Sequence, residues 1–279
     1  MKVIISRKGF DGQNGGVPSA ILPGGRLVPF PIPSPNDPCA FGNVMVNGVA
    51  VGELVEALTG GKFSRADKCH LDPDLNKGSL PRRSGWRASF GQIDAAQGHL
   101  SKQGICTGDL FLFFGWFREV EDSSSGWRYL RGSRGIHVIY GWLRAGEVIR
   151  LGLGERPSPI DAFSDHPHLR GRERASNTLY VATDRLGVAG IDAAGAGLFT
   201  RIADSLILTD QSQRNRSVWR LPGWMHPAHG SSRSYHLDQD RWRLDGDHCG
   251  LQSVAKGQEF VLRAEPVDVA GWLSELFPA

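Results

Sequence analysis

No run of about 18 apolar residues occurs anywhere in this sequence, so no membrane span is expected. Met1-Lys2 leads straight into Val3-Ile4-Ile5 with no extended apolar core, which argues against a secretory leader and for a cytoplasmic protein without a membrane partner. Cysteine is scarce: Cys39, Cys69, Cys106 and Cys249 lie far apart and form no C-x-x-C pair. Neither a zinc module nor a disulfide framework is therefore implied, and no metal ligand set is assigned. The chain also lacks G-x-x-x-x-G-K-[ST] and any G-x-G-x-x-G that opens a helix, so no standard nucleotide-binding loop is expected and the cofactor is left unassigned. No large excess of either charge is present: 32 Lys and Arg against 29 Asp and Glu leave a net +3, with an isoelectric point near 8.7. That balance permits nucleic-acid binding without demonstrating it.

Glycine and proline are abundant, at 36 and 16 of 279 residues, and the chain is 40% hydrophobic. Such a composition favours many short strands and turns over long helices, and the expected fold class is α+β, mostly β. Leu110 to Phe117 and His137 to Leu143 are too short for paired core helices and rich in aromatic and β-branched residues, so both read as buried strands. Gly115 and Gly141 stand beside Trp116 and Trp142 inside them, marking a bulge, a bend or a close approach to the backbone. Further strands are expected at Val3–Ser6, Thr178–Ala182, Ser205–Leu208 and Lys256–Leu262, and helices at Val51–Leu58, Ile93–Leu100 and Val267–Phe277. The whole chain, 1–279, is read as a single elaborated domain, with core strands near 105–150 and with 1–100 and 155–279 wrapped around them.

The densest chemistry lies in His70-Leu71-Asp72-Pro73-Asp74. On an extended backbone His70, Asp72 and Asp74 face one way, placing an imidazole and two carboxylates where they could exchange a proton or share a metal; ordinary turn chemistry explains Asp-Pro-Asp equally well. Glu259, set among apolar residues, needs a partner if buried, and Arg7 is the candidate. Arg7, Lys8, Gly15 and Gly16 share one loop that could cradle a phosphate, with a plain structural turn as the alternative. Gln92 and Gln258 carry amides able to read a base edge, and Trp116, Trp142 and Trp219 offer planes for a base to stack on. His166-Pro167-His168 could bind a metal together with a carboxylate, but no further His or Cys stands at a supporting spacing and the segment is read first as a structural loop.

The series SRKGFDGQNGGVPS at 6–19, HLDPDL at 70–75, FGQ at 90–92, GDLFLFFGWF at 108–117, HVIYGWL at 137–143, HPH at 166–168, RSVWRLPGW at 216–224 and GQEFVL at 257–262 resembles the third family of nucleotide-modification-associated domains. That resemblance implies a setting in bacterial and phage systems that modify DNA bases, with nucleic acid or nucleotide as ligand and other proteins of such a system as possible partners. The stretch from Gly108 through Leu143 also looks like the Gly-Asp turn and paired strands of PUA-like barrels, among them EVE and ASCH domains, which implies a PUA-like mixed β-barrel core with short peripheral helices and long loops. Two functions remain open. The first is recognition, with a base held in an aromatic pocket where segments near positions 10, 72, 115, 141 and 258 meet. The alternative is an enzyme of base or nucleotide modification, a transferase or hydrolase, using His70, Asp72 and Asp74 with Glu259.

Overall fold

The computed structural model describes residues 1–170, 174–254 and 259–278. Its frame is an eleven-stranded mixed sheet. In chain order the strands are β1 (Val3–Arg7), β2 (Ser19–Leu22), β3 (Arg26–Val28), β4 (Ser89–Gln92), β5 (Leu110–Ser123), β6 (Gly126–Tyr129), β7 (Ile136–Ile149), β8 (Thr178–Ala182), β9 (Ala196–Leu198), β10 (Ser232–Arg233) and β11 (Glu259–Arg263). Across the sheet they run β10-β11-β1-β5-β7-β8-β4, with β6 and β2 also on β5, β3 on β2, and β9 on β7. The fold is α+β and mostly β, as the glycine- and proline-rich composition predicts.

The long pair β5 and β7 forms the spine. In β5 every residue from Leu110 to Gly115 is buried, which is why the run carries no polar alternation: both faces of the strand are covered. The register of β5 on β7 shifts beside Gly141, as an inserted glycine leads one to expect. A Cβ on Gly141 would come 2.6 Å from Leu75 Cδ1, and one on Gly115 3.1 Å from the carbonyl of Lys8, so both glycines mark close approach of another segment. Beyond Phe117, β5 runs on to Ser123 and turns back into β6, so 118–129 forms a paired hairpin.

Helix α1 (Val51–Leu58) buries Val51, Leu54, Val55 and Leu58 and stops before Gly60 and Gly61, both at positive φ. Helices α2 (Asp94–Lys102) and α3 (Pro266–Leu276) follow their expected positions within a few residues. Ser205–Leu208, read as a strand, is a 3-10 turn over Asp204–Leu206 followed by one bridge from Ile207 to Val138. Among the described residues, the two ends of the sheet do not join through backbone pairing. They touch through side chains: Gln92 of β4 donates to Glu259 of β11 at 2.6 Å. The barrel expected from the sequence is thus a curled sheet without backbone closure. No helix among the described residues is long and apolar enough to cross a membrane.

Candidate functional site: a buried histidine and aspartate centre

Three segments deliver the site. Lys68–His70 pairs with Ile32–Pro33 and Cys39–Ala40 in a small three-stranded sheet, which fixes His70 and brings Asp37 beside it. Asp72 follows directly, and its Oδ1 accepts the backbone N–H of Gly91 in β4 at 2.8 Å. His166 and His168 arrive on the 3-10 turn Pro167–Leu169, in which Pro167 fixes the entry backbone and the two imidazoles project from one rigid corner. His168 packs on Gly91, where a Cβ would lie 2.2 Å from the imidazole, so only glycine permits this approach.

The imidazoles surround one carboxylate. His70 Nε2 and His168 Nε2 each lie 3.7 Å from Asp72 Oδ2, and His166 Nε2 lies 3.4 Å from Oδ1. All four side chains are buried, with exposures from 2 to 10%.

Hydrogen bonds assign the tautomers. Nδ1–H of His70 donates to Asp37 Oδ2 at 2.7 Å. Nδ1–H of His168 donates to Asn177 Oδ1 at 2.8 Å, and Asn177 Nδ2 returns a bond to the His168 carbonyl at 2.9 Å, which settles the amide orientation. With the proton on Nδ1, a neutral ring turns its Nε2 lone pair outward. His166 is reversed: its Nδ1 accepts the backbone N–H of His168, so Nε2 carries the proton and faces Asp72 as a donor.

Burial alone would raise the Asp72 pKa, but the contacts from His166 and His70 and the field of His168 outweigh it and hold the carboxyl well below its usual range. Burial pushes His168 down to about 3, against the opposing pull of Asp72, so at neutral pH this ring is an uncharged donor of a lone pair. An ionised carboxylate surrounded by imidazoles can take up a cation, pass a proton or orient a nucleophile.

A cleft of about 580 Å³ reaches His168 and Asn177, and its remaining wall includes Gly152, Gly154, Arg156 and Arg174. That volume lies within the roughly 300–1,000 Å³ usual for small-molecule sites, and the two arginines give it a positive wall.

The other expected site residues lie elsewhere. Asp74 turns away from Asp72; its carboxylate takes Arg82 Nη2 at 2.5 Å and Trp86 Nε1 at 3.3 Å. Glu259 pairs with Lys8 at 2.8 Å, not with Arg7, and also accepts from Gln92. Gln92 is thereby occupied, its Oε1 accepting the N–H of Ile93. In the glycine loop, Asp11 Oδ1 takes the N–H groups of Gln13 and Asn14 and the Asp11 carbonyl takes that of Gly16, so the loop binds its own carboxylate; Gly15 covers the Phe10 ring. Trp219 is 3% exposed and donates to His137 Nδ1 at 2.9 Å. Trp116 lies under the Arg216 guanidinium, 4.3 Å from its ring centre. Trp142 packs on Phe199 and Phe277 and lines a separate cleft of about 710 Å³ together with Trp86 and Arg87. Gln258 lies outside the described residues. Gly9, Asp72 and Tyr140 do meet, yet the space between them is only about 30 Å³, room for a water and not for a base.

The curled mixed sheet thus carries an imidazole-ringed carboxylate near a positively walled cleft. The comparison with known families is more specific: the chain belongs to the family described as nucleotide modification associated domain 3, whose model matches residues 2–263. The match associates it with nucleotide modification systems. No curated protein and no solved structure is detectably similar to it.

Proposed function

We propose that the protein is an enzyme of nucleotide or base modification and that its chemistry takes place at Asp72, with His70 and His168 as reacting neighbours and His166 orienting the carboxylate. The observation that carries this reading is the convergence of three buried imidazoles, from two distant segments, on a single carboxylate. Buried polar groups assembled at the edge of a cleft are costly unless they serve chemistry or bind something. Arg156 and Arg174 supply the charge that a nucleotide phosphate needs as it enters beside His168. The proposed substrate is a nucleotide, free or within nucleic acid.

Recognition without turnover is the second reading, and its support is the wider cleft that combines Trp86, Trp142 and Arg87. In that account the curled β5 and β7 pair acts as a PUA-like platform for a base. Nucleoside analysis by mass spectrometry separates the two, using the DNA and nucleotide pool of cells that express wild-type protein, Asp72→Asn or Trp142→Phe. Catalysis at Asp72 predicts a modified nucleoside with wild type and Trp142→Phe, and none with Asp72→Asn. No modified nucleoside from wild type, together with nucleotide binding that Trp142→Phe weakens and Asp72→Asn leaves intact, would establish recognition instead.

A further inference from the structure

The hydrogen bonds around the centre leave an electrostatic gap. His70 gives its Nδ1 proton to Asp37 and His168 its own to Asn177, so the Nε2 atoms of both rings face Asp72 Oδ2. These three ligand atoms lie within 4.8 Å of one another in a buried place, which calls for a cation between them: a proton on an imidazole Nε2, or a metal ion in its stead. Asp72 Oδ1 is already committed to the N–H of Gly91 and faces the Nε2–H of His166, which leaves Oδ2 for that cation.

We propose that this centre binds one divalent transition-metal ion through His70 Nε2, Asp72 Oδ2 and His168 Nε2. Imidazole and carboxylate donors sit about 2.0–2.2 Å from such an ion, so neighbouring donors stand roughly 3.0–3.5 Å apart. The 3.7 Å separations between each imidazole and Oδ2 need close by only a few tenths of an ångström. Each donor is also held from behind, as bound ligands characteristically are: His70 by Asp37, His168 by Asn177 and Asp72 by Gly91. Two imidazoles and one carboxylate leave coordination positions open, and the set suits iron(II) or zinc(II) better than magnesium or calcium, which take oxygen donors. His166 carries its proton on Nε2 and is a positioning residue for Asp72, not a ligand. The ion's chemical consequence rests on the catalytic reading above; its binding does not.

Cobalt(II) serves as the probe, because its visible d–d bands report coordination directly. The metal-free protein should take up one Co(II) per chain, displaceable by Zn(II) and by anaerobic Fe(II). His70→Ala and His168→Ala should each weaken Co(II) binding more than the roughly 10–100-fold expected of Asn177→Ala, which removes no ligand but the two bonds that support His168. His166→Gln should retain one Co(II) per chain while shifting the d–d spectrum, a change that a merely structural residue would not produce. If His70→Ala does not fold, Asp37→Ala replaces it, keeping all three ligands and losing the acceptor that fixes the His70 tautomer; weakening of about tenfold or more is then expected. Failure of folded wild-type protein to bind Co(II), Fe(II) or Zn(II), or binding that His168→Ala leaves unchanged, overturns the site. Stoichiometric Co(II) without any modified nucleoside would refute the catalytic reading and leave the metal site standing; a modified nucleoside formed by metal-free protein in chelator would do the reverse.

Discussion

Strand β4 separates two buried carboxylates with opposite characters. Gly91 presents its N–H to Asp72, while the next residue, Gln92, presents its amide to Glu259. Glu259 is answered by the ammonium of Lys8 at 2.8 Å and by that amide, and the Lys8 cation also lies 4.7 Å above the Phe90 ring. A permanent cation and a fixed donor both hold Oε1, while Oε2 has no hydrogen-bond partner among the described residues; the cluster ties β11 and β1 to β4 across the curl of the sheet. Asp72 is answered by imidazoles and one backbone N–H, and two of those imidazoles face it through Nε2 at 3.7 Å. The same strand thus meets one carboxylate paired with a permanent cation and another ringed by imidazoles, the centre proposed for chemistry; the nature of the partners distinguishes them, since both carboxylates are buried.

Replacement of each carboxylate tests that contrast most severely. Asp72→Asn keeps an acceptor for the Gly91 N–H and removes only the charge, so modifying activity should fall by about 10²–10⁴-fold, as for loss of a catalytic acid or base, with the fold retained by circular dichroism. Glu259→Gln should act the other way. It leaves the Lys8 ammonium, 12% exposed, without a counter-charge, and breaking a buried pair from one side costs about 3–5 kcal/mol in urea unfolding. Lys8→Met combined with Glu259→Gln should recover most of that loss. A Glu259→Gln variant that is as stable as wild type yet inactive would move Glu259 from the architecture into the chemistry and end the comparison.

What the sequence revealed follows the range of the forces involved. Leu110–Phe117 and His137–Leu143 are legible as strands because burial on both faces demands an unbroken apolar run. Their true ends, Ser123 and Ile149, lie in polar stretches whose pairing depends on partners that no local pattern encodes. His70 and Asp72 are legible through their alternation. Asp74 breaks it because the chain reverses at Pro73 and sets the Asp74 backbone against Ser89. His166 and His168 look inert locally, since their carboxylate lies far upstream and the contact is purely tertiary. The available signal was a repeated form: His-x-Asp at 70–72 and His-x-His at 166–168 each present two donors from one short rigid unit.

Gly91 joins the two regions, and a methyl group there should sharpen the contrast. Gly91→Ala drives a Cβ into the His168 ring, 2.2 Å away in the present packing, while Gln92 and its bond to Glu259 point to the other face. The imidazole must move. Overpacking of this kind costs about 1–3 kcal/mol, and it should fall on the catalytic side. The expected outcome is loss of metal binding or turnover by at least about tenfold with the Lys8 to Glu259 pair undisturbed, read from Co(II) titration beside urea unfolding of Gly91→Ala and of the Gly91→Ala/Glu259→Gln double variant. Additive destabilisation in the double variant would show that the two clusters are independent; strong coupling would show that β4 transmits between them.

A further buried imidazole, outside both clusters, calibrates them. His137 has no carboxylate against it; its Nδ1 accepts the Trp219 N–H, and burial, reinforced by the charges of Arg216 and Arg7, pushes its pKa down to about 3. The folded protein therefore binds fewer protons here than the unfolded chain, whose histidine titrates near 6.5. This contribution to stability is complete above pH 6.5 and is lost as the pH falls from there toward 3. At pH 5 the loss should be about 2 kcal/mol relative to pH 7, taking 1.36 kcal/mol for each pH unit below 6.5. His137→Asn removes the titrating group while leaving an acceptor near the indole, so its urea midpoint should change less between pH 7 and pH 5 than that of wild type. An unchanged slope in that variant would assign the acid sensitivity to two other buried histidines whose pKa burial lowers, His168 to about 3 and His236 to about 4. Because His168 faces Asp72 and His236 does not, repeating the measurement with saturating Co(II) decides between them: an ion held at Nε2 excludes the proton from His168 and suppresses its share of the acid loss, whereas the share of His236 persists.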